Sequence, residues 1–256
     1  MIMLETRKMT KYFGGLAAVF ELDLNVNSGE IFGLIGPNGS GKSTVFNLIT
    51  GVSKPTRGRI IYKGEDITGF KSDKIAQKRI GRTFQLPTLF DSKTVLENMV
   101  IAFHLEYKSS FWGSILRGSS QTKEKNISEK AKELLEFVGL TSDIWGKQVQ
   151  SLPHGLRRFL GLAMALAPSP QLLLLDEPAG GMNAEEIRTM VNLMKILKER
   201  GVTILLVEHH LDVIMGLCDR IVAINFGKKI GEGSCDEVRE NRDVIEAYIG
   251  VETDAS

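Results

Sequence analysis

The stretch GPNGSGKS, at residues 36–43, decides how this chain folds. It fits the pattern G-x-x-x-x-G-K-[ST] and lies between a strand-like run, IFGLI (31–35), and a helix-like run, TVFNLIT (44–50). A strand that ends in such a glycine-rich loop and continues as a helix is the context that this pattern requires. The sequence therefore predicts a phosphate-binding loop at the carboxyl end of a strand in an α/β sheet.

The residue types of this loop suit a polyphosphate. Its glycines let successive backbone N–H groups point inward around phosphate oxygens, and the following helix adds the positive end of its dipole. Lys42 is placed to reach the β- and γ-phosphates, and the hydroxyl of Ser43 can bind Mg²⁺. The residues expected to line the phosphates are Gly36, Pro37, Asn38, Gly39, Ser40, Gly41, Lys42 and Ser43.

Two carboxylates form a second candidate site. Asp176 and Glu177 directly follow LLLL (172–175), an apolar run typical of a buried strand. Ligands of open α/β sheets bind outside the carboxyl ends of the strands, so both carboxylates are expected near the loop. Asp176 is suited to hold Mg²⁺ through water, and Glu177 is suited to polarise an attacking water molecule.

Gln85 and His209 are polar residues at two further strand ends. Gln85 closes the segment RTFQ (82–85), and His209 comes just after the apolar run VTILLV (202–207). A lone Gln or His in such a place is usually structural. Here their order relative to the loop and the carboxylates indicates that they belong to the same site.

Strand-like and helix-like runs alternate in the last third of the chain. Asn183 and Glu186 form a capping box for a helix that ends at Gly201, and Thr94 and Glu97 form another. Such alternation predicts an α/β fold with a mainly parallel sheet and helices on both faces. Strands are expected at 2–6, 16–24, 31–35, 58–63, 172–175, 202–207 and 220–225, and helices at 95–105 and 128–138.

Composition excludes several classes of protein. The chain has 256 residues, of which 43% are hydrophobic and 25% are charged, so it can form an ordinary globular core. Its net charge of +1 gives no general nucleic-acid surface. Apolar runs are too short to span a bilayer, and the N-terminus has no signal-peptide pattern. The two cysteines, Cys218 and Cys235, are expected to be reduced thiols rather than a disulfide or zinc site.

Six motifs in a fixed order make the chain resemble the ATP-binding cassette (ABC) ATPases, the motor subunits of ABC transporters. The resemblance covers nearly the whole chain. The motifs are GPNGSGKST (36–44) for Walker A, TFQ (83–85) for the Q-loop, SLPHGLRR (151–158) for the signature, LLLLDEP (172–178) for Walker B, AGGMN (179–183) for the D-loop and LLVEHH (205–210) for the switch histidine.

This resemblance implies a fold and a set of roles. It implies one ABC ATPase domain with a nucleotide-binding core (1–85 and 165–256) that carries an antiparallel β subdomain, and a helical signature subdomain (86–164). It implies ATP and Mg²⁺ as cofactors and adenine stacking on Phe13, in KYFGG. The implied catalytic residues are Lys42, Gln85, Glu177 and His209, the implied metal ligands are Ser43, Gln85 and Asp176, and Thr44 joins the phosphate-binding residues.

The signature departs from the family's LSGGQ pattern. In that pattern a Ser hydroxyl, Gly amides and a helix N-terminus contact the nucleotide of the opposite subunit. Pro153 has neither a hydroxyl nor an amide hydrogen, so one charge-assisted hydrogen bond is lost. The helix dipole and the amide of Gly155 can remain, and His154 or Ser151 are candidates to compensate.

Within the family, the chain is similar to the ATPases of branched-chain amino acid uptake systems. YFGG (12–15), the long insert (105–126) and the C-terminal ending carry this similarity. It implies permease subunits, a second ABC ATPase and a solute-binding protein as partners, no nucleic acid, and a cytoplasmic location on the inner face of the membrane. Uptake of urea or amides, export of the lipopolysaccharide type, and a non-catalytic nucleotide-binding regulator stay open.

Overall fold

The computed structural model of the chain describes residues 1–83, 89–109 and 120–252. These residues form ten strands: β1 (Ile2–Phe13), β2 (Leu16–Asn27), β3 (Ile31–Ile35), β4 (Arg57–Tyr62), β5 (Glu65–Asp66), β6 (Ile80–Arg82), β7 (Leu172–Asp176), β8 (Thr203–Val207), β9 (Arg220–Asn225) and β10 (Lys228–Gly233). They also form nine helices: α1 (Lys42–Ile49), α2 (Ser72–Gln77), α3 (Val95–Ser109), α4 (Ser120–Phe137), α5 (His154–Leu166), α6 (Ala184–Glu199), α7 (Leu211–Leu217), α8 (Cys235–Glu240) and α9 (Arg242–Glu252).

The strands form two sheets. The larger has the order β10-β9-β3-β8-β7-β6, in which β9, β3, β8, β7 and β6 pair in parallel and β10 pairs antiparallel with β9. The smaller sheet, with the order β2-β1-β4-β5, is antiparallel. The predicted mainly parallel sheet is therefore present, with an antiparallel sheet built from the N-terminal strands.

The larger sheet separates two hydrophobic clusters. Successive side chains of a strand point to opposite faces. In β3, Ile31 belongs to the cluster shared with helices α3 to α9, whereas Phe32 belongs to the cluster shared with α1, α2 and the smaller sheet. Strands β3, β7 and β8 each have five residues, and all of these residues are buried. This is expected for parallel strands that are covered on both faces.

Both predicted capping boxes are present. The backbone N–H of Thr94 donates to Glu97 Oε2 (2.7 Å), and Glu97 N–H donates to Thr94 Oγ1 (3.1 Å). Asn183 and Glu186 make the same reciprocal pair at the start of α6. These boxes fix where α3 and α6 begin, because each satisfies amides that a helix leaves without internal partners.

Some elements differ from the sequence expectation. The N-terminal hairpin is longer, since β1 and β2 continue through irregular positions at Lys8 and Glu21, which have positive φ. Helix α4 begins at Ser120 rather than at 128, so the C-terminal part of the expected insert is helical. Residues 110–119, with Phe111 and Trp112, lie outside the described part. Both cysteines are free thiols.

Helices α3, α4 and α5 pack on one another and on the same cluster of the larger sheet. Within the described residues, no helix is both long enough and apolar enough to cross a bilayer.

Candidate functional site

The sheet order brings four of the predicted strand ends side by side. β3 lies beside β8, β8 beside β7, and β7 beside β6. Val207, at the end of β8, is in register with Leu34 of β3 and with Asp176 of β7. The loop after β3, the carboxylates after β7 and the histidine after β8 therefore emerge at one edge of the sheet.

The loop after β3 requires glycine where it turns into helix α1. Gly41 has φ +109, and a Cβ there would lie 2.4 Å from the carbonyl oxygen of Ala18. The N–H of Gly227 donates to Ser40 O (2.8 Å), so the β9–β10 turn also holds the loop. The surrounding β structure thus fixes the loop conformation. It can approach this closely because residue 41 is a glycine and has no Cβ.

Lys42 is the first residue of α1, and its ammonium group lies inside the loop. Its Nζ donates to Gly36 O (2.7 Å) and to Pro37 O (2.9 Å), and the residue is buried. Burial lowers the pKa of Lys42, and the charges of Glu177 and Asp176 oppose that shift. A buried cation is therefore placed where the sequence predicts phosphate oxygens.

The loop has features that fit an anionic ligand. Ser40 Oγ is buried and has no hydrogen-bond partner among the described residues, which is costly unless a ligand or solvent supplies one. Asn38, Gly39 and Ser43 are exposed around it, and a Cβ on Gly39 would meet nothing within 4 Å. Together with the first amides of α1, which a helix leaves without internal partners, these groups fit the phosphates of a nucleotide.

Glu177 and His209 are in direct contact. His209 Nε2 lies 2.7 Å from Glu177 Oε1, and since a carboxylate accepts, the imidazole donates. Glu177 has φ +48, in the left-handed region, and its N–H donates to Val207 O (2.8 Å). This turn places the Glu177 side chain against His209. Such a strained conformation is typical of functional residues.

Glu208 is a buried residue beside the site that sequence reasoning missed. It is buried, and its carboxylate accepts hydrogen bonds from the N–H groups of Ala179 (2.7 Å), His209 (2.9 Å) and His210 (3.3 Å). It thereby ties the segment after Glu177 to the segment that carries His209. An acidic residue between a buried strand and a histidine was the only signal in the sequence.

Asp176 is buried at the end of β7 and forms an ion pair with Arg82, the last residue of β6 (Nη2 to Oδ2, 3.2 Å). Burial raises the pKa of Asp176, and Arg82 opposes that shift. Among the described residues, no group of three or more His, Cys, Asp or Glu forms a metal cage. Mg²⁺ does not need one, because it commonly takes one or two protein oxygens together with phosphate oxygens and water.

The signature residues pack against the D-loop and the start of α6. Pro153 is the N-cap of α5, so the helix N-terminus exists without a capping side chain. A Cβ on Gly155 would lie 2.1 Å from Glu186 Oε1, and a Cβ on Gly181 would lie 3.1 Å from His154 Nδ1. Ser151 Oγ donates to Gln148 O (2.7 Å) within its own turn, so it does not replace the missing hydroxyl in this conformation.

Phe13 and Thr44 are two further predicted residues that the structure describes. Phe13 ends β1, and Lys11 Nζ lies over its ring, 5.1 Å from the centroid. The residue is still 54% exposed, which leaves ring surface available for stacking. Gln85 lies outside the described residues. Thr44 is half-buried in the first turn of α1.

The C-terminal helix also reaches the loop, which sequence reasoning did not anticipate. Tyr248 of α9 packs against the main hydrophobic cluster. Burial raises the pKa of the Tyr248 phenol, and a hydrogen bond from the backbone N–H of Gly36 opposes the shift. An aromatic residue near the end of a chain carries no sequence signal for such a contact.

Comparison with known proteins identifies this arrangement. The model of the ABC transporter family matches residues 19–180. The chain belongs to the ABC transporter family. A second model, of branched-chain amino acid ATP-binding cassette transporters, matches residues 228–254 of this ABC protein.

Curated relatives match nearly the full length of the chain. The high-affinity branched-chain amino acid transport ATP-binding protein BraF of Pseudomonas aeruginosa is 38% identical over 97% of this chain and 98% of its own length. The corresponding protein LivG of Escherichia coli K12 is 37% identical, with the same two shares covered. The predicted ABC ATPase, and its resemblance to the branched-chain amino acid subfamily, are therefore confirmed.

Solved ABC cassettes share the fold. The ADP conformation of MJ1267, an ATP-binding cassette of an ABC transporter, superposes with a TM-score of 0.83 at 32% identity, covering 98% of this chain and 99% of that one. The dimeric cassette MJ0796 bound to ADP and Pi superposes with a TM-score of 0.79 at 26% identity, covering 91% and 99%. These likenesses confirm the predicted ABC ATPase fold, and with it a nucleotide-binding ATPase.

Proposed function

We propose that this chain is the ATP-hydrolysing subunit of an importer of branched-chain amino acids. The observation that carries the ATPase assignment is the meeting of Lys42, Asp176, Glu177 and His209 at adjacent strand ends. The amino acid substrate rests on the relatives BraF and LivG, because a cassette does not itself contact the transported molecule.

Nucleotide binding is assigned to the loop and to Phe13. Gly36 to Thr44 hold the phosphates through backbone amides and the Lys42 ammonium, and Phe13 stacks on adenine. The Ser40 hydroxyl, which is buried and finds no partner in the described part of the chain, gains one from a phosphate oxygen. Ser43, Gln85 and Asp176 are the residues that would hold Mg²⁺, which when bound neutralises charge on the β- and γ-phosphates.

Hydrolysis is assigned to Glu177 and His209. Glu177 orients and deprotonates the attacking water, and the imidazole that holds Glu177 at 2.7 Å also stabilises charge on the γ-phosphate. Phosphoryl transfer needs mainly positioning and charge stabilisation, which a pre-arranged pair supplies. Glu208 keeps the two segments in register through its three backbone hydrogen bonds.

Two cassettes close head to tail around two nucleotides in this proposal. Each signature, from Ser151 to Gly155, then faces the nucleotide bound by its partner. Because ATP contacts both subunits, it favours the closed dimer, and hydrolysis reopens it. The helical subdomain (86–164), joined to the core (1–85 and 165–256) through Gln85, passes this motion to permease subunits in the membrane.

Pro153→Ser is expected to strengthen this dimer. The N-cap conformation of Pro153 (φ −52, ψ 152) suits serine, whose hydroxyl can donate to the partner's nucleotide. A hydrogen bond to a charged group contributes about 1.5–3 kcal/mol, so the ATP-dependent dimer should bind at least about tenfold more tightly. Analytical ultracentrifugation in a hydrolysis-deficient background measures this. Unaltered dimer affinity would mean that the backbone already supplies the contact.

The proposed transport activity is tested by reconstitution. The chain is purified with its membrane subunits, placed in proteoliposomes with ATP inside and supplied with the solute-binding protein on the opposite face. ATP-dependent accumulation of labelled leucine, absent with Glu177→Gln, is expected. Transport of urea or amides but not of leucine, or co-purification of a lipopolysaccharide exporter, would overturn the substrate assignment and leave the ATPase assignment intact.

A further inference from the structure

Arg82 is a buried cation whose contacts converge on the predicted metal residue. Its side chain is 8% exposed, and that of Asp176 is 5% exposed. Arg82 Nη2 lies 3.2 Å from Asp176 Oδ2, while Nη1 donates to Asn47 Oδ1 (2.7 Å) of helix α1 and to Thr50 Oγ1 (3.0 Å), directly after that helix. One guanidinium therefore joins the segment that follows the phosphate loop to the carboxylate at the end of β7.

The charge balance of this pair depends on both members. A buried carboxylate is costly unless a cation or hydrogen bonds compensate it, and removing one partner of a buried pair leaves the other uncompensated. Arg82 also lies over the ring of Phe46, with 5.5 Å between Cζ and the ring centroid, which adds a favourable contact for the positive charge. The guanidinium is thus fixed beside Asp176 by hydrogen bonds, packing and charge.

The position of Arg82 makes it relevant to Mg²⁺. A divalent ion held near Asp176 would meet a guanidinium on the same carboxylate, and two cations at short range in a buried site repel each other. Arg82 also lies three residues before Gln85, at the end of the strand that leads into the helical subdomain. The guanidinium therefore lies beside the carboxylate that the proposed function assigns to Mg²⁺.

We propose that Arg82 is a built-in counter-cation of Asp176, which neutralises this carboxylate before nucleotide binds and limits how strongly Mg²⁺ enhances nucleotide binding. This inference rests on the proposed function, which assigns Asp176 to Mg²⁺. It makes Arg82 a positioning residue, since it acts through Asp176 and not on the reacting atoms.

The quantity that tests the inference is the Mg²⁺ enhancement, defined as the Kd of ADP in EDTA divided by its Kd in Mg²⁺. Without the guanidinium, the Asp176 carboxylate has no counter-charge. Bound Mg²⁺ should then stabilise this carboxylate more strongly, and the enhancement should rise. We expect Arg82→Gln to raise the enhancement at least about fivefold by isothermal titration calorimetry, which corresponds to about one kcal/mol. Arg82→Lys, which keeps the charge, should stay near wild type.

Three further variants complete the experiment, and the first, Asp176→Asn, measures how much this carboxylate contributes to the enhancement. Thr50→Val is the matched control, because it removes one hydrogen bond to the same guanidinium and leaves the ion pair, so the enhancement should stay at the wild-type value. If Arg82→Gln does not fold, the double variant Arg82→Gln/Asp176→Asn removes both charges and should fold with an enhancement well below wild type.

The outcomes separate the two claims. An Arg82→Gln enhancement equal to wild type, with Asp176→Asn reducing it, overturns the role of Arg82 and leaves the metal assignment standing. If the double variant keeps the wild-type enhancement although Asp176→Asn alone reduces it, Arg82 does not act through Asp176. The proposed role of Arg82 is then overturned as well. An enhancement that Asp176→Asn leaves unchanged overturns the assignment of Asp176 in the proposed function.

Discussion

Glu177→Gln is expected to reduce ATP turnover by about 100- to 10,000-fold, the range that loss of a general base causes. The side chain keeps its length, but the amide cannot take a proton from water. The turn that places it, with φ +48 and the N–H bond to Val207, does not depend on the carboxylate. The fold and the affinity for ATP should therefore change little.

The measurements for this variant are steady-state phosphate release and ATP binding in the same preparation. ATP binding should persist, and the ATP-dependent dimer should become longer-lived because hydrolysis no longer opens it. Glu185→Gln is a matched control, since this carboxylate lies exposed in the first turn of α6. Normal phosphate release by Glu177→Gln would remove Glu177 from the catalytic role.

Lys42→Ala is expected to weaken nucleotide binding by about 10- to 100-fold, since hydrogen bonds to charged groups contribute about 1.5–3 kcal/mol. The ammonium already lies in the loop, held by the carbonyls of Gly36 and Pro37. In the proposal it exchanges one of these partners for a phosphate oxygen. Among the described residues, Lys42 is the only buried lysine. Its replacement therefore leaves the loop without a buried ammonium group.

Two comparison variants separate charge from packing. Lys42→Met keeps an apolar side chain of similar length and should lose nucleotide as strongly as Lys42→Ala. Lys74→Ala removes an exposed lysine of α2 and should bind normally. Equilibrium dialysis with labelled ATP gives the affinities, and circular dichroism checks the fold. Wild-type affinity in the Met variant would contradict the assigned role.

The sequence predicts those parts of the site that depend on local pattern. GPNGSGKS requires a strand before it and a helix after it, and β3 and α1 provide both. The apolar runs before Asp176 and His209 predict buried parallel strands, which places these residues at one edge of the sheet. The contact of His209 with Glu177 then follows from the adjacency of β7 and β8.

The parts that the sequence does not predict depend on distant pairs. Arg82 and Asp176 are 94 residues apart, and nothing near either residue indicates its partner. Tyr248 reaches Gly36 from the far end of the chain, and Glu208 contacts Ala179 across two strand ends. Strand β10 contains two glycines and forms only because β9 offers it an edge to pair with. Such contacts arise from tertiary packing, which local propensity does not encode.

Titration calorimetry of the folded wild-type chain with ATP and Mg²⁺ tests the central claim most directly, namely that the backbone of residues 36–43 and one ammonium hold a triphosphate. We expect saturable binding of one nucleotide per chain, lost in Lys42→Met. Absence of any binding heat or protection against thermal unfolding, in protein whose circular dichroism is that of an α/β fold, would contradict it.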